Sequence, residues 1–275
     1  MPQLPTEVRT ITRAAPVGAC IYCGSTENLS DEHIVPFGLG GNLVLPDSSC
    51  QRCARITSAF ERRVLRGFMR DARTTGRFPT RRPKERPSTI PVEIKRGSHL
   101  ERADVPVADA TGFMQLVSFV PAAFLAGMPP VRGVTLIGVE IIVFGQHPKK
   151  LAETLGTDTL QTTSSVDATA LARMIAKIGY GFAVANEGLF PRSECPVLPF
   201  ILGSADDGGT WVGSAEYRLP IEDQRPNHAL ALVAVPMTVD DVRENILVAR
   251  VKLFASAGAK GYEVVVRRTR VPQQD

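Results

Sequence analysis

The sequence predicts an α+β protein in which a small cysteine-clasped N-terminal module precedes a larger α+β domain. Three observations carry this expectation. Four of the five cysteines fall into two Cys-x-x-Cys pairs near the N-terminus. The chain has 275 residues, more than the roughly 100–150 usual for one domain. The remaining sequence mixes strand-like and helix-like apolar periods, so neither element type excludes the other.

Taken in order, residues 1–19 read as a loose leader. They contain Arg9 and Arg13 and lack the apolar run of a secretory signal. Residues 20–78 form the cysteine module, and after Cys53 an apolar residue recurs every fourth position at Ile56, Phe60, Val64 and Phe68, as on one face of a helix. Next comes Phe-Pro-Thr-Arg-Arg-Pro-Lys-Glu-Arg-Pro-Ser-Thr-Ile-Pro, with prolines at 79, 83, 87 and 91. Proline removes a backbone donor and fixes φ, so residues 79–104 are expected to be a basic, extended linker lying near the ligand.

The larger domain is expected over residues 105–275. Residues 134–144, β-branched and mostly apolar, predict a largely buried strand. Asp167 is placed to cap a helix running to about Asn186, with Leu171, Ile175, Ile178 and Phe182 on one face and Gly188 at its end. Further strands are expected at 229–235, 246–255 and 262–268.

Charge is unevenly spread. The net charge is +4, yet residues 52–103 hold 15 Lys or Arg against 5 Asp or Glu. Such concentration points to a polyanionic partner. The longest apolar stretch, 131–145, is too short to span a membrane and contains Arg132 and Glu140. A cytoplasmic location is expected, where thiols stay reduced and paired cysteines signal metal rather than disulfides.

Cys20, Cys23, Cys50 and Cys53 fit one structural zinc. Two residues between thiolates let both turn onto one ion, and four thiolates leave no open position for water. Gly24 follows the first pair, where a tight turn is needed. Cys195 stands apart and reads as a small side chain in a loop or core. His99, His147 and His228 have no companions at ligand spacing.

The 26 residues between the pairs hold Asp31-Glu32-His33-Ile34-Val35-Pro36, then Gly38, Gly40, Gly41 and Asn42, then a short strand at Leu43-Val44-Leu45. The order of cysteine pair, Glu-His-Ile-Val-Pro, Gly-Gly-Asn, cysteine pair and helix resembles the HNH endonuclease family, in the branch whose ββα-metal motif is clasped by two zinc knuckles. The resemblance covers about residues 20–70. It implies a metal-dependent phosphodiesterase acting on nucleic acid, DNA ahead of RNA, with Mg²⁺, Mn²⁺ or another divalent ion at the catalytic site. Carried over by position, His33 is the general base, Glu32 an acidic ligand of the catalytic metal, and Asn42 the residue that holds the base-presenting loop. Glu61 matches a further acidic position. Arg52, Arg55, Arg62, Arg63 and Arg66 lie on or beside the helix, where they could hold flanking phosphates.

One position departs from that pattern. Directly after the last cysteine the family usually carries Asn or His as a further metal ligand, and here stands Ala54. The first reading is therefore an HNH-type endonuclease. The alternative is a catalytically decayed, zinc-dependent nucleic-acid-binding module. A third places a protein-interaction or self-association role in residues 105–275.

Overall fold

The computed structural model describes residues 11–96, 98–157, 159–161, 165–217 and 228–271. Residues 1–10 of the expected leader lie outside them. The architecture is mixed α and β, with six α-helices among the described residues.

The N-terminal module begins with β1 (Thr12–Arg13), β2 (Leu29–His33) and β3 (Leu43–Cys50). β3 is central, parallel to β1 and antiparallel to β2. It runs directly into α1 (Gln51–Arg66), so Cys50 ends the strand and Cys53 lies in the first helical turn. Phe60 and Val64 of α1 are buried and Arg62, Arg63 and Arg66 exposed, as the four-residue spacing requires. A short α2 (Arg70–Thr75) follows.

The segment expected to be a linker differs from that expectation. Residues 79–88 are irregular apart from a single 3-10 turn, but β4 (Thr89–Arg96) and β5 (His99–Pro106) form an antiparallel hairpin. Pro91 is tolerated because the second partner of β4 joins it only at Glu93 and Ile94. At Pro91 that side of the strand needs no donor. Ile90 and Val105 are buried in a small apolar cluster of their own.

β6 (Thr111–Phe119) and β7 (Leu136–Gly145) make a two-stranded sheet. β7 is not the largely buried strand expected. Ile142 and Phe144 face the core, whereas Ile137 and Ile141 are 58% and 57% exposed. A run of apolar residues shows β propensity but not whether a second layer covers both faces. α3 (Pro148–Leu155) and β8 (Leu160–Gln161), which pairs with β4, lead to α4 (Ala168–Glu187).

α4 is the hub of the molecule. The Asp167 carboxylate accepts a hydrogen bond from the Ala170 N–H at 2.9 Å, and Gly188 closes the far end at φ +82°. Of the expected face Leu171, Ile175 and Ile178 are buried and Phe182 only partly so, while Ala172, Ala176 and Tyr180 are buried as well, because α4 is covered on more than one side. On one side lies α1. On the other is an antiparallel sheet formed, after α5 (Leu198–Leu202) and α6 (Gly208–Trp211), by β9 (Val212–Ala215), β10 (His228–Val239), β11 (Val242–Leu253) and β12 (Gly261–Arg270). A Cβ on Gly179 would stand 3.0 Å from Val264, so glycine permits the close approach of helix and sheet.

One apolar core therefore runs from Tyr22, Ile34 and Phe60 through Leu171 and Ile178 to Val251 and Val264. The His228 ring nitrogen also meets the Leu39 carbonyl at 2.9 Å, joining β10 to the N-terminal module. Among the described residues no helix is long and apolar enough to cross a membrane.

Candidate functional site

The cysteine site is built by two local turns. Gly24, at φ +80°, donates to the Cys20 carbonyl at 2.8 Å and closes the first pair. The strand-to-helix junction presents Cys50 and Cys53. The four Sγ atoms lie within 4.8 Å of one another, and those of Cys23 and Cys50 are 3.6 Å apart. Thiolates about 2.3 Å from one tetrahedral ion would stand roughly 3.8 Å apart, so the four cysteines could hold a metal such as zinc. Held there, the ion would join the β2–β3 end of the module to α1. Cys195 is buried far along the chain, its thiol donating to the Pro191 carbonyl.

Beside this frame lies an open cleft of about 820 Å³. His33, at the end of β2, lines it together with Phe37, whose ring centroid is 5.6 Å away. Arg55, Arg62 and Arg66 line the α1 side, and Arg81 and Arg82 approach from the proline-rich segment. Arg73 also lines the cleft but has a structural task. Its guanidinium donates to the Gly38 carbonyl at 2.7 Å and the Leu65 carbonyl at 2.6 Å, tying the loop after His33 to the end of α1. Burial brings its pKa down to about 10.

His33 is half-buried, and its Nδ1 is sealed from solvent without a hydrogen-bond partner among the described residues. Burial, the Lys177 ammonium and Arg81 hold its pKa below the ordinary histidine value. At neutral pH the ring is then chiefly uncharged and able to accept a proton. Asp31 lines the same cleft at its exposed rim. It turns outward and pairs with Arg13, at 2.6 Å.

Glu32 and Glu61 come together, but around a side chain that the sequence did not single out. Lys177, on α4, is 1% exposed, and its Nζ lies 2.7 Å from a Glu32 carboxylate oxygen and 2.9 Å from one of Glu61. It also donates to the His33 carbonyl and, at 3.3 Å, to that of Ile34. Burial alone would depress the pKa of the lysine, but the two carboxylates outweigh it and raise it, so the ammonium stays charged. For Glu61, burial and the nearby Glu32 outweigh the lysine and push the carboxyl up.

Of the residues singled out in the sequence, Asp31, Glu32, His33, Gly38, Ala54, Arg55, Glu61, Arg62 and Arg66 are among those that share the cleft lining. Asn42, Arg52 and Arg63 do not. Asn42 is exposed just before β3, and its carbonyl accepts from the Thr12 N–H at 2.9 Å. Arg63 projects from another face of α1 and pairs with Asp167 at 2.8 Å. Ala54 occupies the cleft wall without a donor atom, and the Ser58 hydroxyl donates to the Arg55 carbonyl. In the sequence Lys177 is one of two basic residues, with Arg173, in the largely apolar α4, and nothing local marks it as a partner of Glu32. Arg81 and Arg82 lay in the segment expected near the ligand.

The unit β2–β3–α1 thus carries four clustered cysteines and has Glu32 and His33 at the end of β2. Residues 20–69 match the family model described as HNH endonuclease. Neither curated proteins nor solved structures give a match to the chain.

Proposed function

We propose that the protein binds nucleic acid by its phosphate backbone, in the arginine-lined cleft over His33, as an HNH-type module whose cysteines hold a structural zinc. The observation that carries this reading is the convergence of Arg55, Arg62, Arg66, Arg81 and Arg82 on one open cleft. Guanidinium groups match phosphate oxygens in geometry, and contacts to the backbone bind without reading sequence. The family match over residues 20–69 supports nucleic acid as the ligand. DNA is the first candidate. Zinc at four thiolates has a closed coordination sphere, so its part is to hold the β3–α1 junction beside the cleft.

A second reading, phosphodiester cleavage with His33 as general base, is favoured by the place of its imidazole in the lining of the arginine-rich cleft. Two measurements on the zinc-loaded full chain separate the readings. Fluorescence anisotropy with labelled duplex DNA, single-stranded DNA and RNA should show binding to wild type. That binding should weaken when Arg55, Arg62 and Arg66 are together replaced by Ala. Unchanged affinity in the triple variant would remove the cleft as the binding surface. A nicking assay on supercoiled plasmid then tests cleavage. Product from wild type that disappears in His33→Ala, with binding retained, would establish the second reading.

A further inference from the structure

The resemblance brings with it a divalent metal at Glu32, and the residues present do not fit one. Both carboxylates that could ligate it, Glu32 and Glu61, face the Lys177 ammonium at 2.7 and 2.9 Å. The backbone carbonyls of His33 and Ile34, the next oxygens at that spot, accept from the same nitrogen. Ala54 offers no donor atom at the position where the family pattern supplies one. An ion of Mg²⁺ size needs oxygens at about 2.0–2.1 Å in near-octahedral array, which requires the space the ammonium fills. It would also stand beside a buried positive charge with no solvent between them, where repulsion is poorly screened.

We propose that Lys177 is the resident cation of this HNH module: its ammonium takes the seat between Glu32 and Glu61 that a divalent metal would otherwise occupy. The inference rests on reading residues 20–69 as an HNH module and goes beyond the binding reading. Three consequences are chemical. The carboxylates are compensated without an exchangeable ion, so the module keeps its shape in the absence of Mg²⁺ or Mn²⁺. The cation comes from α4, 144 positions further along the chain than His33. The N-terminal module is therefore complete only when α4 is docked. Whatever nucleic acid enters the cleft meets a fixed ammonium behind Glu32 and not a Lewis acid.

The test is Mn²⁺ binding to the zinc-loaded full chain, followed by electron paramagnetic resonance of free Mn²⁺ and by calorimetry, without nucleic acid. Wild type should bind Mn²⁺ at this site about a hundredfold or more weakly than Lys177→Met, the scale of a unit charge at contact distance in a protein interior. Lys177→Met keeps the apolar stem, and its gained site should be lost again in Lys177→Met/Glu32→Gln. Wild type that binds one Mn²⁺ per chain, with affinity lost in Glu32→Gln, would overturn the proposal. So would a folded Lys177→Met that gains no Mn²⁺ affinity. Where Lys177→Met does not fold, the wild-type arm decides alone. No Mn²⁺ binding that Glu32→Gln affects supports the proposal, and such binding defeats it. Since no nucleic acid is present, failure here is distinct from failure of the binding reading, which the anisotropy experiment measures.

Discussion

Lys177 reaches from α4 to place its ammonium 2.7 Å from Glu32, a residue on the second strand of the N-terminal module. That ion pair links two parts of the chain that the sequence suggested were separate, and it lies at the centre of the candidate site. A buried pair of this kind adds little over a well-packed apolar one, but removing one partner leaves the other charge uncompensated.

Stability should register that asymmetry. Lys177→Ala leaves Glu32 and Glu61 facing each other in the interior, and the expected loss is about 3–5 kcal/mol. Replacing all three by apolar residues of similar volume should cost much less. Denaturant unfolding of both variants checks this. A single Lys177→Ala loss below about 1 kcal/mol, the level of a surface pair, would mean the cluster is not sealed from water.

Metal removal should unfold more than the module. Because one apolar core runs from Tyr22 through α4 to Val264, Cys20→Ser or Cys53→Ser is expected to lower the stability of the whole described fold. Zinc release and circular dichroism followed together should give coincident transitions. A C-terminal sheet that persists unchanged after zinc release would show that the core does not couple the two parts.

The arginines are expected to divide by position. Arg62 lines the cleft, whereas Arg63 pairs with Asp167 outside it. Arg62→Ala should reduce the salt dependence of nucleic-acid binding by about one counterion, while Arg63→Ala should leave the slope unchanged. Equal slopes for the two variants would argue against the cleft as the path of the backbone.

Histidine titration gives a pH prediction. The folded-state pKa of His33 is depressed, first by burial and then by Lys177 and Arg81. The unfolded chain therefore takes up this proton before the folded one. The contribution of His33 to stability is present above the ordinary histidine pKa near 6.5 and is lost as pH falls through that value towards the folded one. Lys177→Met should move the folded-state pKa upward, because a nearby positive charge is gone. Proton NMR of the His33 ring in wild type and variant measures both. A wild-type pKa at or above 6.5, or a downward movement in the variant, would contradict this picture of the cleft.

What the sequence revealed and what it hid follow from distance along the chain. The four cysteines, the Glu32-His33 pair and the α1 stripe were legible because each pattern is local and its spacing is set by turn or helix geometry. The cap at Asp167 and the buried face of α4 were legible for the same reason. Lys177 as a partner of Glu32 was not, because nothing local distinguishes a buried lysine from a solvated one. Its partners lie on β2 and α1, across the core. The proline-rich segment misled because a proline excludes strand only where its missing N–H is needed, and at Pro91 it is not. Strand β7 misled because apolar composition does not reveal which face lacks a covering layer.

The most direct test of the account is binding of labelled duplex DNA to zinc-loaded wild type at fixed ionic strength, with and without added Mg²⁺ or Mn²⁺. The cleft arginines supply the phosphate contacts and Lys177 fills the cation seat. Adding the ion should therefore not tighten binding, and replacement of Arg55, Arg62 and Arg66 should weaken it in both conditions. Binding that requires the divalent ion, and that loses this requirement in Glu32→Gln, would contradict the account.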